Sequence, residues 1–284
     1  MGPLSRPGGV HVAVTPEVVR PRQTVTATVT TERPVDRVAT ATLEWGYDNF
    51  YRFHWAGQPG VEFGSDRDGD DWVCVTRVEL PVAMSEFTGA TATFKIPSWA
   101  PGSSPQIARW SCRLRIERAG RPIDVRGEFV VVVGADDVEA VVEPLELVSG
   151  DGVTAIDVVL GSPLYRSGET VRGEVVLRPT IDLPDGNVAV FWQRQRESHP
   201  LARPPADDVL LDGRILELGK RTTLRQGIEV TLPFALALPG DAAPTASAVH
   251  SSLSWFVAAR MIYAGFTGHG IELVRRPITV VDAS

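Results

Sequence analysis

The run Ser65-Asp66-Arg67-Asp68-Gly69-Asp70-Asp71 places four carboxylates, Asp66, Asp68, Asp70 and Asp71, within a few residues of one another. Hard cations take several carboxylate oxygens from one short loop, so a Ca2+ site is one chemistry this run would support. The match to a calcium loop is partial: Gly69 comes early, Arg77 stands where a bidentate Glu would be needed, and Arg67 adds a repelling charge. A solvated acidic hairpin tip is the plainer reading. A second chemistry belongs to Arg109, Arg113 and Arg115, which a period of two places on one strand face with Ser111 and Glu117. Three guanidiniums in a row would hold an acidic or phosphorylated peptide by charge-assisted bonds. Acids on a neighbouring strand would equally neutralise the row. A third feature is aromatic crowding, with Trp45, Tyr47, Phe50, Tyr51, Phe53, Trp55, Phe63 and Trp72 in one segment. Alternation buries only part of such a set. The segment is therefore either an enlarged hairpin core or an interaction surface, with Tyr47, Phe50, Tyr51 and Trp55 as candidate contact residues.

Catalysis has no visible constellation. His11, His54, His199, His250 and His269 are scattered, and neither a G-x-S-x-G elbow nor an H-E-x-x-H pair occurs. Gly213 and Gly219-Lys220-Arg221 imitate a phosphate loop, but the glycine spacing is one residue too long; Gly265 to Gly270 reads as a hairpin loop. We expect no enzyme and no cofactor beyond a cation at the aspartate run.

These residues sit in a chain of 284 residues with 28 basic and 35 acidic side chains, net charge −7. An acidic balance opposes adhesion to phosphate backbones, so nucleic acid is not an expected partner. No apolar stretch approaches the roughly 18 to 20 residues of a membrane helix. Met1 to Gly9 carries no apolar signal core, and Arg6 stands where myristoylation wants Ser or Thr, so a cytoplasmic location is expected. Cys74 and Cys112 then read as buried thiols rather than a disulfide. Arginine over lysine, with abundant Ala, Val, Gly and Pro, is what a high-GC coding sequence produces.

The elements that must position the candidates read almost entirely as strands. Val25, Ala27 and Val29 alternate with Thr24, Thr26, Thr28 and Thr30. The same period returns at Ala39 to Trp45, Trp72 to Leu80, Trp110 to Ile116, Phe129 to Val133, Ile156 to Leu160, Val171 to Leu177, Val188 to Trp192, Leu253 to Met261 and Ile278 to Val281. Pro and Gly punctuate nearly every gap, the pattern of all-β sandwiches. Asp136 to Leu147, interrupted by Pro144, reads as a linker with one strand at most.

A repeat organises the strands. Val18-Val19-Arg20-Pro21-Arg22-Gln23-Thr24-Val25 matches Leu164-Tyr165-Arg166-Ser167-Gly168-Glu169-Thr170-Val171, and Trp45 falls beside Phe191-Trp192 at nearly the same offset. Phe94-Lys95-Ile96-Pro97 leading to Ala100-Pro101 answers Phe234 to Pro239 leading to Ala243-Pro244; Trp110 answers Trp255. We therefore expect an all-β protein of two tandem immunoglobulin-like β-sandwich domains, residues 1–136 and 137–284.

Leu164-Tyr165-Arg166-Ser167-Gly168-Glu169-Thr170-Val171-Arg172-Gly173-Glu174-Val175 resembles the Y-x-P-G-E-x-V-x-G-x-V segment near the start of arrestin-family domains, with Ser167 replacing the usual proline. Leu232-Pro233-Phe234, Leu238-Pro239, Ala243-Pro244, Ser254-Trp255 and Pro277-Ile278-Thr279-Val280 are similar to the closing half of such a domain, and Phe94 to Pro97, Ala100 to Ser103 and Arg109-Trp110 repeat it. The resemblance covers most of the chain and extends to bacterial sporulation-control-type arrestin-like proteins. It implies arrestin-type sandwiches and a non-enzymatic adaptor or regulatory protein that binds a partner protein or peptide through sheet edges and loops. The arrestin polar core and tail latch do not carry over, because only Asp282-Ala283-Ser284 follows Val281. The alternative is a β-sandwich module binding a small ligand or cation. Oligomeric state is not legible.

Overall fold

The computed structural model describes residues 9–56, 64–139, 142–264 and 270–283. Phe63, His269, most of the Gly265 to Gly270 loop and the first eight residues lie outside them. Nearly all regular structure is β; among the described residues the one helical element is a 3-10 turn at Ala135–Asp137. The chain divides into two compact units. The first comprises Met1–Val133 with Ser198–Ala206 and Ser247–Ser251, and the second Gly134–Glu197, Asp207–Ala246 and Ser252–Ser284.

In the first unit the strands are β1 (Val10–Thr15), β2 (Val18–Val19), β3 (Thr24–Asp36), β4 (Val38–Trp55), β5 (Ser65–Glu79), β6 (Glu86–Lys95), β7 (Ala108–Arg118), β8 (Ile123–Glu128) and β9 (Val130–Val131). They form a sheet β1-β3-β6, a sheet β5-β4-β7-β8 and a parallel pair β2-β9. Period-two alternation sets the inner faces: Val25, Ala27 and Val29 from one sheet, and Leu43, Trp45, Tyr47, Trp110, Cys112, Leu114 and Ile116 from the other, are buried. Trp45 stacks on Phe94 with ring centroids 5.4 Å apart, and Tyr47 lies 4.8 Å from Trp110, so the two sheets share one apolar layer in a sandwich-like arrangement.

The second unit contains β10 (Glu146–Ser149), β11 (Thr154–Leu160), β12 (Leu164–Arg166), β13 (Thr170–Pro179), β14 (Leu183–Ser198), β15 (Val209–Asp212), β16 (Leu216–Leu224), β17 (Val230–Ala237), β18 (Ala246–Ser247), β19 (Ser251–Tyr263) and β20 (Ile271–Val281). One sheet runs β11-β13-β17; the other runs β10-β20-β19-β14-β15, with β16 also on β14 and β12 parallel to β20. The strand orders correspond in part: β1-β3-β6 answers β11-β13-β17, β5-β4-β7-β8 answers β15-β14-β19-β20, and the parallel pair β2-β9 answers β12-β20, with β10, β16 and β18 added.

The correspondence reaches single hydrogen bonds. Arg20 N–H donates to Gln23 Oε1 at 2.9 Å and Arg166 N–H to Glu169 Oε2 at 2.8 Å. Trp110 Nε1–H donates to Pro101 O at 2.8 Å and Trp255 Nε1–H to Ala243 O at 2.9 Å. Ser103 Oγ accepts from Val131 N–H, and Thr245 Oγ1 from Val280 N–H, both at 2.9 Å. At the matched turn Gly168 has φ +77° and Arg22 φ +68°. An arginine in the left-handed region costs about 1 kcal/mol that a glycine does not. Arg22→Gly is therefore expected to raise the melting temperature slightly and Gly168→Ala to lower it by several degrees, as calorimetry would show; equal effects of the same sign would refute the turn equivalence.

Val10 to Thr30 forms β1, β2 and the start of β3; β1 and β3 share one sheet and β2 pairs with β9. One local expectation changes. The aspartate run is no hairpin tip: β5 holds it in register with β4, pairing Asp66 with His54, Asp68 with Arg52, Asp70 with Phe50 and Asp71 with Asn49.

Candidate functional site

Strand β4 runs beside β7 with Asp48 opposite Arg109, Glu44 opposite Arg113 and Thr42 opposite Arg115; β8 adds Asp124 opposite Arg115 and Arg126 opposite Arg113. All of these lie on the outer face of the four-stranded sheet, because the partners of alternate residues share a face. The expected arginine row is therefore present on one face, and it is largely neutralised there. Arg109 donates from Nε and Nη2 to Asp48 Oδ2 at 3.3 and 3.0 Å. Arg126 Nη1 donates to both oxygens of Asp48 at 3.0 and 2.8 Å, so this carboxylate, 2% exposed, is clamped between two guanidiniums. Arg113 Nε donates to Asp124 at 2.9 and 3.0 Å and holds that carboxyl below its ordinary range. Glu44, equally buried, pairs with Arg77 and accepts from Trp72 Nε1–H at 3.1 Å. Gly46 lets the bulged β5 backbone approach, since a Cβ there would come within 2.1 Å of Val73 O and 3.1 Å of the Trp72 ring. Of the three predicted arginines only Arg115 makes no ion pair among the described residues.

The aromatic candidates divide by burial. Tyr47 and Tyr51 are 0% and 1% exposed, so neither offers a partner any surface; this corrects their assignment as contact residues. Tyr51 uses its hydroxyl to donate to Asp71 Oδ2 at 2.9 Å. Phe50 and Trp55 are half-buried. Phe50 faces the arginine row, with Arg109 Cζ 5.6 Å from its ring centroid, and Trp55 is covered by Arg67 at 3.7 Å.

A strand separates the four aspartates instead of converging them. Asp66 is taken by Arg52 at 3.1 Å and His54 at 3.2 Å, Asp71 lies on the opposite face from Asp70, and no group of three or more His, Cys, Asp or Glu suited to a metal ion occurs among the described residues. The calcium-loop reading needed a turn that β4 pairing removes.

What the structure does bring together is Phe50 and Arg109. Both line a groove of about 560 Å³ with Glu17, Ser103, Ser104, Pro105, Phe129 and Val130, its walls mainly apolar. Val130 is 44% exposed at the β9 edge. Matching Trp110 to Trp255 and the parallel pair Val18–Val130 to Leu164–Thr279 gives the equivalent place: Ser254 for Arg109, Ile278 for Phe129 and Thr279 for Val130, with Gln195 lining the cleft there. There the side chains satisfy one another, Arg275 donating to Glu146 and, at 2.7 Å, to Gln195 Oε1. The same cleft is thus polar and self-paired in one unit and apolar in the other.

Buried polar residues in the aromatic segment escaped the sequence reading. Asn49, 0% exposed, donates from Nδ2 to Ile107 O at 2.8 Å and Ser251 Oγ at 2.9 Å, and its Oδ1 accepts from His250 N–H at 2.6 Å. The signal was there: Asp48-Asn49 interrupts an otherwise aromatic and aliphatic run. Cysteine placement also departs from expectation, since Cys112 is buried and Cys74 exposed, both as free thiols. Burial pushes the Cys112 thiol up to about 12 and, with Glu44 nearby, raises that of Cys74. Raised thiol pKa values mean little thiolate at neutral pH. Alkylation of the native chain at pH 7.5 should modify Cys74 slowly and Cys112 not at all, with both reacting after denaturation; rapid native labelling of Cys112, read by peptide mass spectrometry, would contradict its burial.

No protein-family model matches the chain, and no curated protein matches it. No helix among the described residues is long and apolar enough to cross a membrane.

Proposed function

We propose that the chain is a non-enzymatic adaptor or regulatory protein built from two tandem immunoglobulin-like sandwiches of arrestin type, and that its first unit holds a segment of a partner protein. Support for the tandem reading comes from the matched strand orders and the matched turn, Trp and Ser/Thr hydrogen bonds. One observation carries the binding site. At a position both units share, the second has a smaller, mainly polar cleft of about 220 Å³ lined by its own Arg275–Glu146 pair, whereas the first leaves Phe50, Phe129 and Val130 lining an open, mainly apolar groove of about 560 Å³ beside Arg109. Shared positions explain the fold; a departure between copies marks where one copy has a separate task.

The neutralised arginine row narrows the partner. With Arg109 and Arg113 engaged by Asp48 and Asp124, an acidic peptide is not drawn by an unpaired cationic strip, so the bound segment is mainly apolar, with Arg109 at its margin. The test is affinity capture from the native host with the wild-type chain and with Arg109→Ser combined with Val130→Glu. Arg109→Ser introduces the residue that the second unit carries, and Asp48 keeps Arg126. Because Asp48 is buried and loses one of its two guanidiniums, thermal melting of the variant is measured first, and capture is compared with the variant shown to be folded. A protein recovered by the wild type and lost with the variant supports the reading; a protein retained at equal yield by both refutes the site.

A further inference from the structure

We infer that the β15 edge of the second unit is a self-pairing surface, on which a second copy of this chain docks its own β15 antiparallel. The β5 strand that flanks β4 is guarded along its length by Asp66, Arg67, Asp68, Asp70, Asp71, Arg77 and Glu79, the usual protection of a sheet edge. Its counterpart flanking β14 begins with Val209-Leu210-Leu211-Asp212, every residue exposed: Val209 36%, Leu210 54%, Leu211 44%. Ile215 and Leu216 extend the apolar strip at 45% and 36%. Among the described residues β15 pairs with β14 alone.

Backbone parity decides how a second copy would fit. Gly213 N–H donates to Trp192 O at 2.7 Å, and the register pairs Leu211 with Arg194 and Val209 with Arg196. In an antiparallel ladder alternate residues turn their N–H and C=O groups to the same neighbour. Gly213, Leu211 and Val209 therefore face β14, and Asp208, Leu210 and Asp212 present their backbone groups outward. Two-fold pairing of such edges allows only registers that match outward residues with outward residues. One of these puts Leu211 opposite itself, Leu210 opposite Asp212, and Asp208 opposite Arg214 of the second copy. The adjacent registers set Asp208 against Asp212, or Asp212 against itself, and like charges directly opposite are destabilising. Among the described residues, Asp208 is exposed and bonded only to the neutral Gln195 amide at 2.7 Å, and Arg214 is exposed without an ion pair, so both are in place for the cross-pair. The two-fold axis forms this pair twice. A four-residue edge is small beside a standard interface, so the dimer is a weak one.

Sedimentation velocity of the full chain over a concentration series tests this. The wild type should show a monomer–dimer equilibrium with Kd on the order of 10 μM, and Arg214→Asp should raise Kd roughly ten-fold by turning two attractions into repulsions. Asp208→Arg combined with Arg214→Asp should restore wild-type association, which a misfolded or merely less sticky variant would not do. A wild type that stays monomeric to about 100 μM, as it would if the edge served a strand from another protein, overturns the inference. So does a dimer indifferent to Arg214→Asp, or one that the double exchange fails to restore.

Discussion

Replacing Trp110 by alanine should lower the stability of the first unit by about 3–5 kcal/mol, the range for removing a fully buried large aromatic. Trp110 is 0% exposed, touches Tyr47 and Phe129 with ring centroids 4.8 and 6.0 Å away, and places its only polar atom on Pro101 O. The loss combines transferred apolar area, a cavity its rigid neighbours cannot fill, and an orphaned carbonyl. Against a total of about 5–15 kcal/mol for an ordinary domain, this is a large fraction. Trp255→Ala should cost the second unit a similar amount, because Trp255 is 1% exposed, lies 5.3 Å from Trp192 and donates to Ala243 O. Trp110→Phe, which keeps most of the volume, should cost about 1–2 kcal/mol. Chemical denaturation followed by tryptophan fluorescence and by far-UV circular dichroism would measure all three. Alanine variants losing under about 1 kcal/mol would contradict the placement of these rings at the centre of each core.

The second large effect is expected at Asn49. Its amide joins the Ile107 carbonyl, the Ser251 hydroxyl and the His250 N–H within the first unit, with no water-accessible surface of its own. Leucine is close in volume but offers no hydrogen bond, so Asn49→Leu orphans the buried His250 N–H and takes one bond each from Ile107 O and Ser251 Oγ, which keep Phe50 N–H and Phe50 O as partners. The orphaned donor and the two lost bonds should together cost about 1–3 kcal/mol. The effect should appear also as faster amide exchange at His250, which loses its acceptor. An Asn49→Leu chain with wild-type stability and unchanged exchange at His250 would show that the 247–251 segment is held by other means.

What was legible in the sequence was whatever is decided by near neighbours. The turn at Arg20 to Gln23 and Arg166 to Glu169, the alternation around Val25 and Val171, and the paired tryptophans are local chemistry repeated twice, and each returns in the structure. Register is not local. Nothing between Asp66 and Asp71 says that β4 extends to Trp55 and draws the aspartates into a ladder, so a loop-like composition folds as a strand. The arginine row was placed on the correct face by parity, but its partners, Asp48 and Asp124, are brought to it by strand pairing across β4 and β8. Parity also separates Tyr47 and Tyr51, which point into the core, from Phe50, which does not; aromatic count alone treats them alike. The groove was out of reach for the same reason, since Phe50, Arg109 and Val130 lie far apart along the chain.

Site-directed photocrosslinking tests the central claim most directly. A photoreactive residue at Val130, on the wall of the first unit's groove, should give a discrete covalent adduct with one protein when irradiated in the native host. The same residue at Thr279, the equivalent position in the second unit, should give none, because that cleft is smaller and polar, with Arg275 on its wall already paired to Glu146. Absence of an adduct at Val130, or the same adduct from both positions, would contradict the assignment of partner binding to the first unit's groove.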